Sequence, residues 1–374
     1  MKLSFPGAAI GFLYSILAPL SSVFAAETSA PPANIEYVPV SQAWTLARHP
    51  TLPVLYVGCY GAPESKNLMT FRLNENGSIL TNGQKVYDNY LSVNGTNAEF
   101  RYRILPRPVV LPKENVLVLA CSPDSHGPYF AQTNNNECAV LALDGQGEAT
   151  KLLKALRTSY TAREPLMAAR ADPLTQRLYL AYYVYFGWCE LGTNGLPVSG
   201  QFVPISCPIN QWYWQYVPAW QRFFTMAPAP GLNIFRTTSD GHTLDMLQYT
   251  TTLDGTPLSG NLQVSETFRK VYLLGLTPQK ELTVFSLTQE GRLTGLPRYF
   301  STGPASLIRF DFKAKKLYAI ARDWMKVFAL DKDGFPLAQP SLHSLACGVV
   351  NDGLVDENNG KLYMACTDPP KAKP

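Results

Sequence analysis

The chain has 374 residues, with 32 Lys and Arg against 28 Asp and Glu, a formal net charge of +4. Charged residues make up only 16% and the basic ones are scattered, which excludes a disordered or coiled-coil chain and leaves no basic stripe to follow a nucleic-acid backbone. Aromatics at 12% and 30 prolines fit many strands joined by turns.

Residues 1–25 read as a signal peptide. Lys2 supplies the positive start, an apolar run follows from Ala8 to Leu20, and Val23-Phe24-Ala25 has the small-residue ending of a cleavage site. That run is too short to span a bilayer and no later stretch is long enough, so no membrane span is expected. Residues 26–34, rich in Ala, Pro and Ser, read as a flexible lead-in. A single domain is expected over 35–370, in a periplasmic or secreted protein.

Two phrases then recur. The first is a fully apolar strand: Leu55-Tyr56-Val57, Leu117-Val118-Leu119, Leu178-Tyr179-Leu180, Val271-Tyr272-Leu273, Leu317-Tyr318-Ala319 and Leu362-Tyr363-Met364. The second is an alternating pair followed by a turn glycine: Phe71-x-Leu73…Gly77, Leu141-x-Leu143…Gly147, Cys189-x-Leu191…Gly195, Tyr249-x-Thr251…Gly255, Phe285-x-Leu287…Gly291 and Phe328-x-Leu330…Gly334. Strand pairs of this kind cannot bury their own faces and must stack on copies of themselves, which predicts an all-β propeller. The final two intervals are 46 and 45 residues, and the 93-residue interval from 178 to 271 hides a further blade, with Leu232-Asn233-Ile234-Phe235 as its second strand. The expectation is a seven-bladed β-propeller of four-stranded antiparallel blades. Ile35 to Val40 closes the ring as an outer strand of the last blade. Six complete blades plus a stray hairpin is the alternative.

The seven cysteines all follow the signal. Placed on the repeat they fall at strand ends on one face of the disc. Neighbouring ends pair Cys121 with Cys138, Cys189 with Cys207 and Cys347 with Cys366, leaving Cys59 unpaired.

The run His49-Pro50…Leu55-Tyr56-Val57…Phe71-x-Leu73…Gly77 resembles the seven-bladed propellers of the lactonase-like and YVTN-repeat group. Asp172-Pro173…Leu178-Tyr179 and Lys316-Leu317-Tyr318…Phe328-x-Leu330-Asp331-x-Asp333-Gly334 echo it. The resemblance covers nearly the whole mature chain and implies its architecture. Phosphogluconolactonase members carry a Gly-Pro-Arg-His segment at the start of a blade. The comparable segment here is Pro165-Leu166-Met167-Ala168-Ala169-Arg170, without the His.

The four histidines, His49, His126, His242 and His343, have no metal-ligand spacing between them. No nucleophile elbow, phosphate loop or haem-attachment motif occurs, and no cofactor or metal is expected. Asp331-Lys332-Asp333-Gly334 and Asp356-Glu357-Asn358-Asn359-Gly360 fall where the repeat demands turns.

Two segments interrupt the repeat. Ser122 to Glu137 carries His126, Tyr129 and Phe130, and a disulfide at its base would staple it. Pro208 to Gln221 carries Trp212, Tyr213, Trp214, Tyr216 and Trp220, and reads as a loop between blades on the cysteine face. His126 and these five aromatics are the candidate ligand-binding residues; the alternative is an aromatic cluster capping the ring. Arg103, Arg107, Arg163, Glu164 and Arg309 are candidates for the channel. Arg163 and Glu164, with Arg309, could serve as catalytic groups or an anion grip; a plain ion pair is the simpler reading of Arg163-Glu164. The sequence thus favours an exported propeller that binds a protein partner or a small molecule on its stapled face. The alternatives are a lactonase-like hydrolase or isomerase acting through channel Arg and Glu, and a subunit of a periplasmic redox complex.

Overall fold

The computed structural model describes residues 40–367, apart from segments 41–42, 60–65, 89–106, 112–113, 122–136, 158–165, 173, 183–184, 195, 199–202, 207–209, 227–231, 238–243, 251–260, 276–281 and 346. Blade 1 is β1 (Ala43–Arg48), β2 (Val54–Cys59), β3 (Lys66–Leu73) and β4 (Ile79–Asp88). Blade 2 is β5 (Arg107–Leu111), β6 (Val116–Cys121), β7 (Glu137–Leu143) and β8 (Ala149–Arg157). Blade 3 is β9 (Leu166–Asp172), β10 (Arg177–Tyr182), β11 (Tyr185–Glu190) and β12 (Val203–Ser206). Blade 4 is β13 (Asn210–Val217), β14 (Arg222–Met226), β15 (Leu232–Thr237) and β16 (Leu244–Thr250). Blade 5 is β17 (Leu262–Ser265), β18 (Lys270–Leu274), β19 (Leu282–Leu287) and β20 (Leu293–Phe300). Blade 6 is β21 (Leu307–Asp311), β22 (Lys316–Ile320), β23 (Trp324–Ala329) and β24 (Ser341–Ser344). A last sheet pairs β25 (Val349–Asp356) with β26 (Lys361–Thr367).

Every pairing is antiparallel between chain neighbours. The first strands touch in cyclic order, β1 to β5, β9, β13, β17, β21, β25 and back to β1, so the sheets form a closed ring. Among the described residues, complete four-stranded blades number six and not the expected seven. The seventh position is held by the two-stranded sheet, wedged between blades 6 and 1. Leu307, Tyr318 and Ile320 pack on Val350 and Cys347 on one side of it. Leu55, Val57 and Phe71 pack on Tyr363 and Ala365 on the other. Of the expected closing segment, residues 35–39 lie outside the described residues, and Val40 packs against this second cluster.

The recurring phrases have a physical cause. The glycine sits in the turn between third and fourth strands with positive φ: 76° at Gly77, 79° at Gly147, 72° at Gly291 and 83° at Gly334. Three residues before each, a side-chain oxygen closes the turn. The Asn74 Oδ1 accepts from the amides of Asn76 and Ser78 at 2.9 and 2.8 Å, and Asp331 does the same for Asp333 and Phe335. The tyrosine of the buried strand reaches into the next blade: the Tyr56 hydroxyl donates to the Gly147 carbonyl at 2.6 Å, Tyr272 to Gly334 at 2.8 Å, and Tyr363 to Gly77 at 2.6 Å.

The hidden blade is blade 4, but its second strand is β14, with Phe223 and Phe224 fully buried in place of the usual phrase. Leu232 to Phe235 belongs to the third strand, β15, and Tyr249 to the fourth, β16. Phenylalanine cannot donate the interblade hydrogen bond. Trp220 takes over that seam, its indole lying against Gly291 so closely that a Cβ there would come within 2.7 Å. Trp220 ends the 3-10 turn Pro218–Trp220, the one helical element among the described residues. No helix among them is long and apolar enough to cross a membrane.

A candidate ligand site in the central channel

The ring brings side chains from distant blades to its axis. Arg309 stands on β21, where its Nη2 lies 2.5 Å from Asp352 Oδ1 on β25. Its Nη1 donates to Asn261 Oδ1 at 3.0 Å, and its Nε donates to the Gly353 carbonyl. Asp352 is held from both sides: Oδ1 also accepts from the Gly353 amide at 2.8 Å, and Oδ2 from the Leu46 amide of β1 at 3.0 Å. One carboxylate and one guanidinium thus tie blades 1, 5, 6 and 7 together.

Arg170 on β9 faces this group from across the axis. Blade 3 stands three positions from blade 6 one way and three from blade 7 the other. The Arg170 side chain is accessible to solvent, yet deep among protein atoms. Desolvation lowers its pKa, the Asp352 carboxylate counters this and the Arg309 charge adds to it. The channel therefore presents two guanidiniums, a fixed carboxylate and an amide.

Of the sequence candidates, Arg309 reaches the channel. Arg103, Arg163, Glu164 and His126 lie outside the described residues, as does the side chain of Arg107. Asp352, Asn261 and Arg170 were not singled out as site residues by the sequence. Asn351-Asp352-Gly353 forms a bulge inside β25, with the register shifting between Val350 and Asp352. Arg170 had a signal, since it ends the segment in the place of Gly-Pro-Arg-His.

The aromatic segment is not a loop between blades. Residues 210–217 are β13, the innermost strand of blade 4. The side chains of Trp212, Tyr213 and Trp214 lie outside the described residues. Tyr216 is buried, its ring centroid 4.9 Å from Tyr179 and 4.4 Å from Phe223. Its hydroxyl donates to Asp172 Oδ2 at 2.9 Å, and burial pushes its pKa far up. Tyr216 therefore packs the seam between blades 3 and 4, as Trp220 packs that between blades 4 and 5.

Cys347 and Cys366 form a disulfide across the two-stranded sheet. Cys59 is buried without a disulfide, and desolvation pushes its thiol up to about 12. Cys189 is buried between blades 2 and 3, while its expected partner Cys207 lies outside the described residues. Cys121 and Cys138 lie at the open end of β6–β7, one position out of register, with side chains outside the described residues. His49 Nδ1 accepts from the Leu52 amide at 3.0 Å and caps a turn, as the repeat implies. Asp331 and Asp356 likewise serve turns, and no cluster of metal-ligating side chains occurs among the described residues.

No protein-family model matches this chain, and no curated protein sequence resembles it. Solved structures do. A periplasmic gluconolactonase of Pseudomonas aeruginosa is 12% identical with a TM-score of 0.63, covering 89% of this chain and 91% of that one. A putative 6-phosphogluconolactonase of Bacteroides uniformis is 18% identical with a TM-score of 0.59, covering 84% and 88%. A putative 6-phosphogluconolactonase of Bacteroides fragilis is 13% identical with a TM-score of 0.58, covering 81% and 87%. At such identities the likeness establishes the fold alone, and this chain is a β-propeller that shares the architecture of these structures.

Proposed function

We propose that this is an exported propeller that binds a small, anionic, hydroxyl-rich molecule in its central channel. The observation that carries the reading is Arg170, open to solvent and facing the Arg309–Asp352 pair across the axis. Guanidinium forks suit a carboxylate or phosphate, and Asp352 and Asn261 suit hydroxyls. Binding is favoured over catalysis because both oxygens of Asp352 already accept from Leu46, Gly353 and Arg309. A carboxylate so held orients its neighbours and is poorly placed to take a proton. Export is supported by the N-terminal apolar run, by the Cys347–Cys366 disulfide and by the periplasmic location in the name of one structural neighbour.

Lactone hydrolysis is the second reading. It is favoured by the gluconolactonase names of the neighbours and by two arginines able to stabilise a developing oxyanion. Calorimetric titration of the mature protein with gluconate, beside pH-stat assay with gluconolactone, separates the two. Binding without turnover is expected, with affinity at least tenfold weaker in Arg170→Gln, on the order of one lost charged hydrogen bond. Unaltered gluconate affinity in that variant would sink the channel reading.

A further inference from the structure

The repeat supplies its own control for a second charged cluster, on the turn face of the disc. At the seam between blades 1 and 2, Arg72 on β3 pairs with Glu148, the residue after the turn glycine Gly147, at 2.7 Å. Arg72 also donates to Gln146. Its register partner on β2 is the uncharged Val54. The matching positions at the seam between blades 4 and 5 are differently filled. Arg236 on β15 takes the place of Arg72, and its register partner on β14 is Arg222. After the turn glycine Gly291 comes Arg292, where the other seam has Glu148. Glu290 takes the place of Gln146.

Three arginines therefore meet where one arginine and one glutamate would complete the seam. Arg222 and Arg236 are directly opposed across two strands, which places two like charges side by side. Arg222 Nε is spent on the Glu290 carbonyl oxygen at 2.5 Å, which fixes its fork beside the turn. The charges of Arg292 and Arg236 both act on Arg222 and depress its pKa, with desolvation as the larger cause. Glu290 is fully exposed, and the charges of Arg292 and Arg222 act on its carboxylate. Arg236 and Arg292 are exposed, and the indole of Trp220 forms a wall against the same turn.

We propose that Arg222, Arg236 and Arg292 form a binding site for a phosphate-type oxyanion, separate from the channel and on the turn face. Planar forks carried on two neighbouring strands and a turn suit a tetrahedral anion. The source of the phosphate is either a soluble phosphate monoester or a lipid headgroup.

The test uses the whole mature protein and Arg292→Glu, which restores the charge pattern of the blade 1–2 seam. Inorganic phosphate, against sodium chloride of equal ionic strength, should raise the melting midpoint of the wild type by about 2–4 °C when in excess. Arg292→Glu should melt higher than wild type without phosphate and lose this response. Arg292→Gln, an exposed neutral change, should lose the response without the gain. Arg170→Gln should keep it, which separates this site from the channel. Co-sedimentation with phosphatidic acid vesicles over phosphatidylcholine vesicles, abolished by Arg292→Glu, assigns the lipid source. A response to free phosphate without co-sedimentation assigns the soluble one. The proposal is overturned if wild type shows no phosphate response, or if Arg292→Glu and Arg292→Gln both retain it.

Discussion

The turn face and the channel of this ring are built on opposite plans. On the turn face one device recurs: a tyrosine of one blade donating to the turn glycine of the next, at Tyr56–Gly147, Tyr272–Gly334 and Tyr363–Gly77. In the channel the residue type changes around the ring. Arg170 and Arg309 share one repeat position, opposite Tyr179 and Tyr318, which Ala47, Gln263 and Leu354 fill in other blades, and Asn261 and Asp352 come from two further blades. Positions that repeat serve the stacking of blades, because every seam poses the same packing problem. Positions whose residue changes from blade to blade are free to serve a ligand, which meets the ring once.

Four experiments sharpen or break that contrast. The largest effect is expected at a repeated position. Gly334 has φ of 83°, and a Cβ there would lie 2.6 Å from Phe268. Gly334→Ala should cost about 3 kcal/mol in chemical denaturation, through backbone strain and overpacking. A loss below about 1 kcal/mol would mean the turn relaxes and the seam is not a rigid repeat. Asp352→Ala comes next, at about 2 kcal/mol, a value reduced because the pair keeps 16% and 20% side-chain exposure. It should also abolish gluconate binding; a variant that binds normally would show Asp352 to be scaffold only. Tyr56→Phe removes one interblade hydrogen bond and should cost about 1 kcal/mol with ligand affinity intact. Altered affinity there would breach the separation between the two faces.

The smallest effect concerns His49. Burial and the Arg48 charge hold its pKa below the usual 6.5. The folded state therefore favours the neutral ring, whose Nδ1 accepts from the Leu52 amide. Its contribution is full above about pH 6.5 and fades as pH falls through the lowered value. Melting midpoints measured at about pH 7.5 and about pH 5 should fall further for wild type than for His49→Asn. Equal falls would show that His49 does not couple to the fold.

What was legible in the sequence follows the same division. The phrase ending in Gly77 or Gly334 was readable because only glycine takes that backbone cheaply and every seam needs it. The pairing of Cys347 with Cys366 and the lack of a disulfide at Cys59 were readable from positions on the repeat. Blade 4 was misread by one strand because Phe223-Phe224 carries no tyrosine, and the nearest apolar run, at Leu232, was taken for its equivalent. The aromatic density of 210–217 looked like a loop, since a strand facing two blades at once loses the alternation that marks a half-exposed one. Asp352 was hidden by a bulge, and Arg170 meets its partners only when blades far apart in sequence close the ring.

The sheet of β25 and β26 also has a meaning in time. Its contacts join the two ends of the described chain: Asp352 accepts from the amide of Leu46 across 306 residues, Asn351 donates to Ala43 across 308, and Tyr363 to Gly77 across 286. A chain emerging from its N-terminus can stack the early blades on one another as they appear. Blade 1 nevertheless keeps an uncovered flank, with Leu55, Val57 and Phe71 facing water, until the last strand arrives. Such long-range closure is slow, and the waiting flank is adhesive. A nascent chain truncated before residue 349 should be a ready client for chaperones, and completion of the final hairpin is the event that releases it.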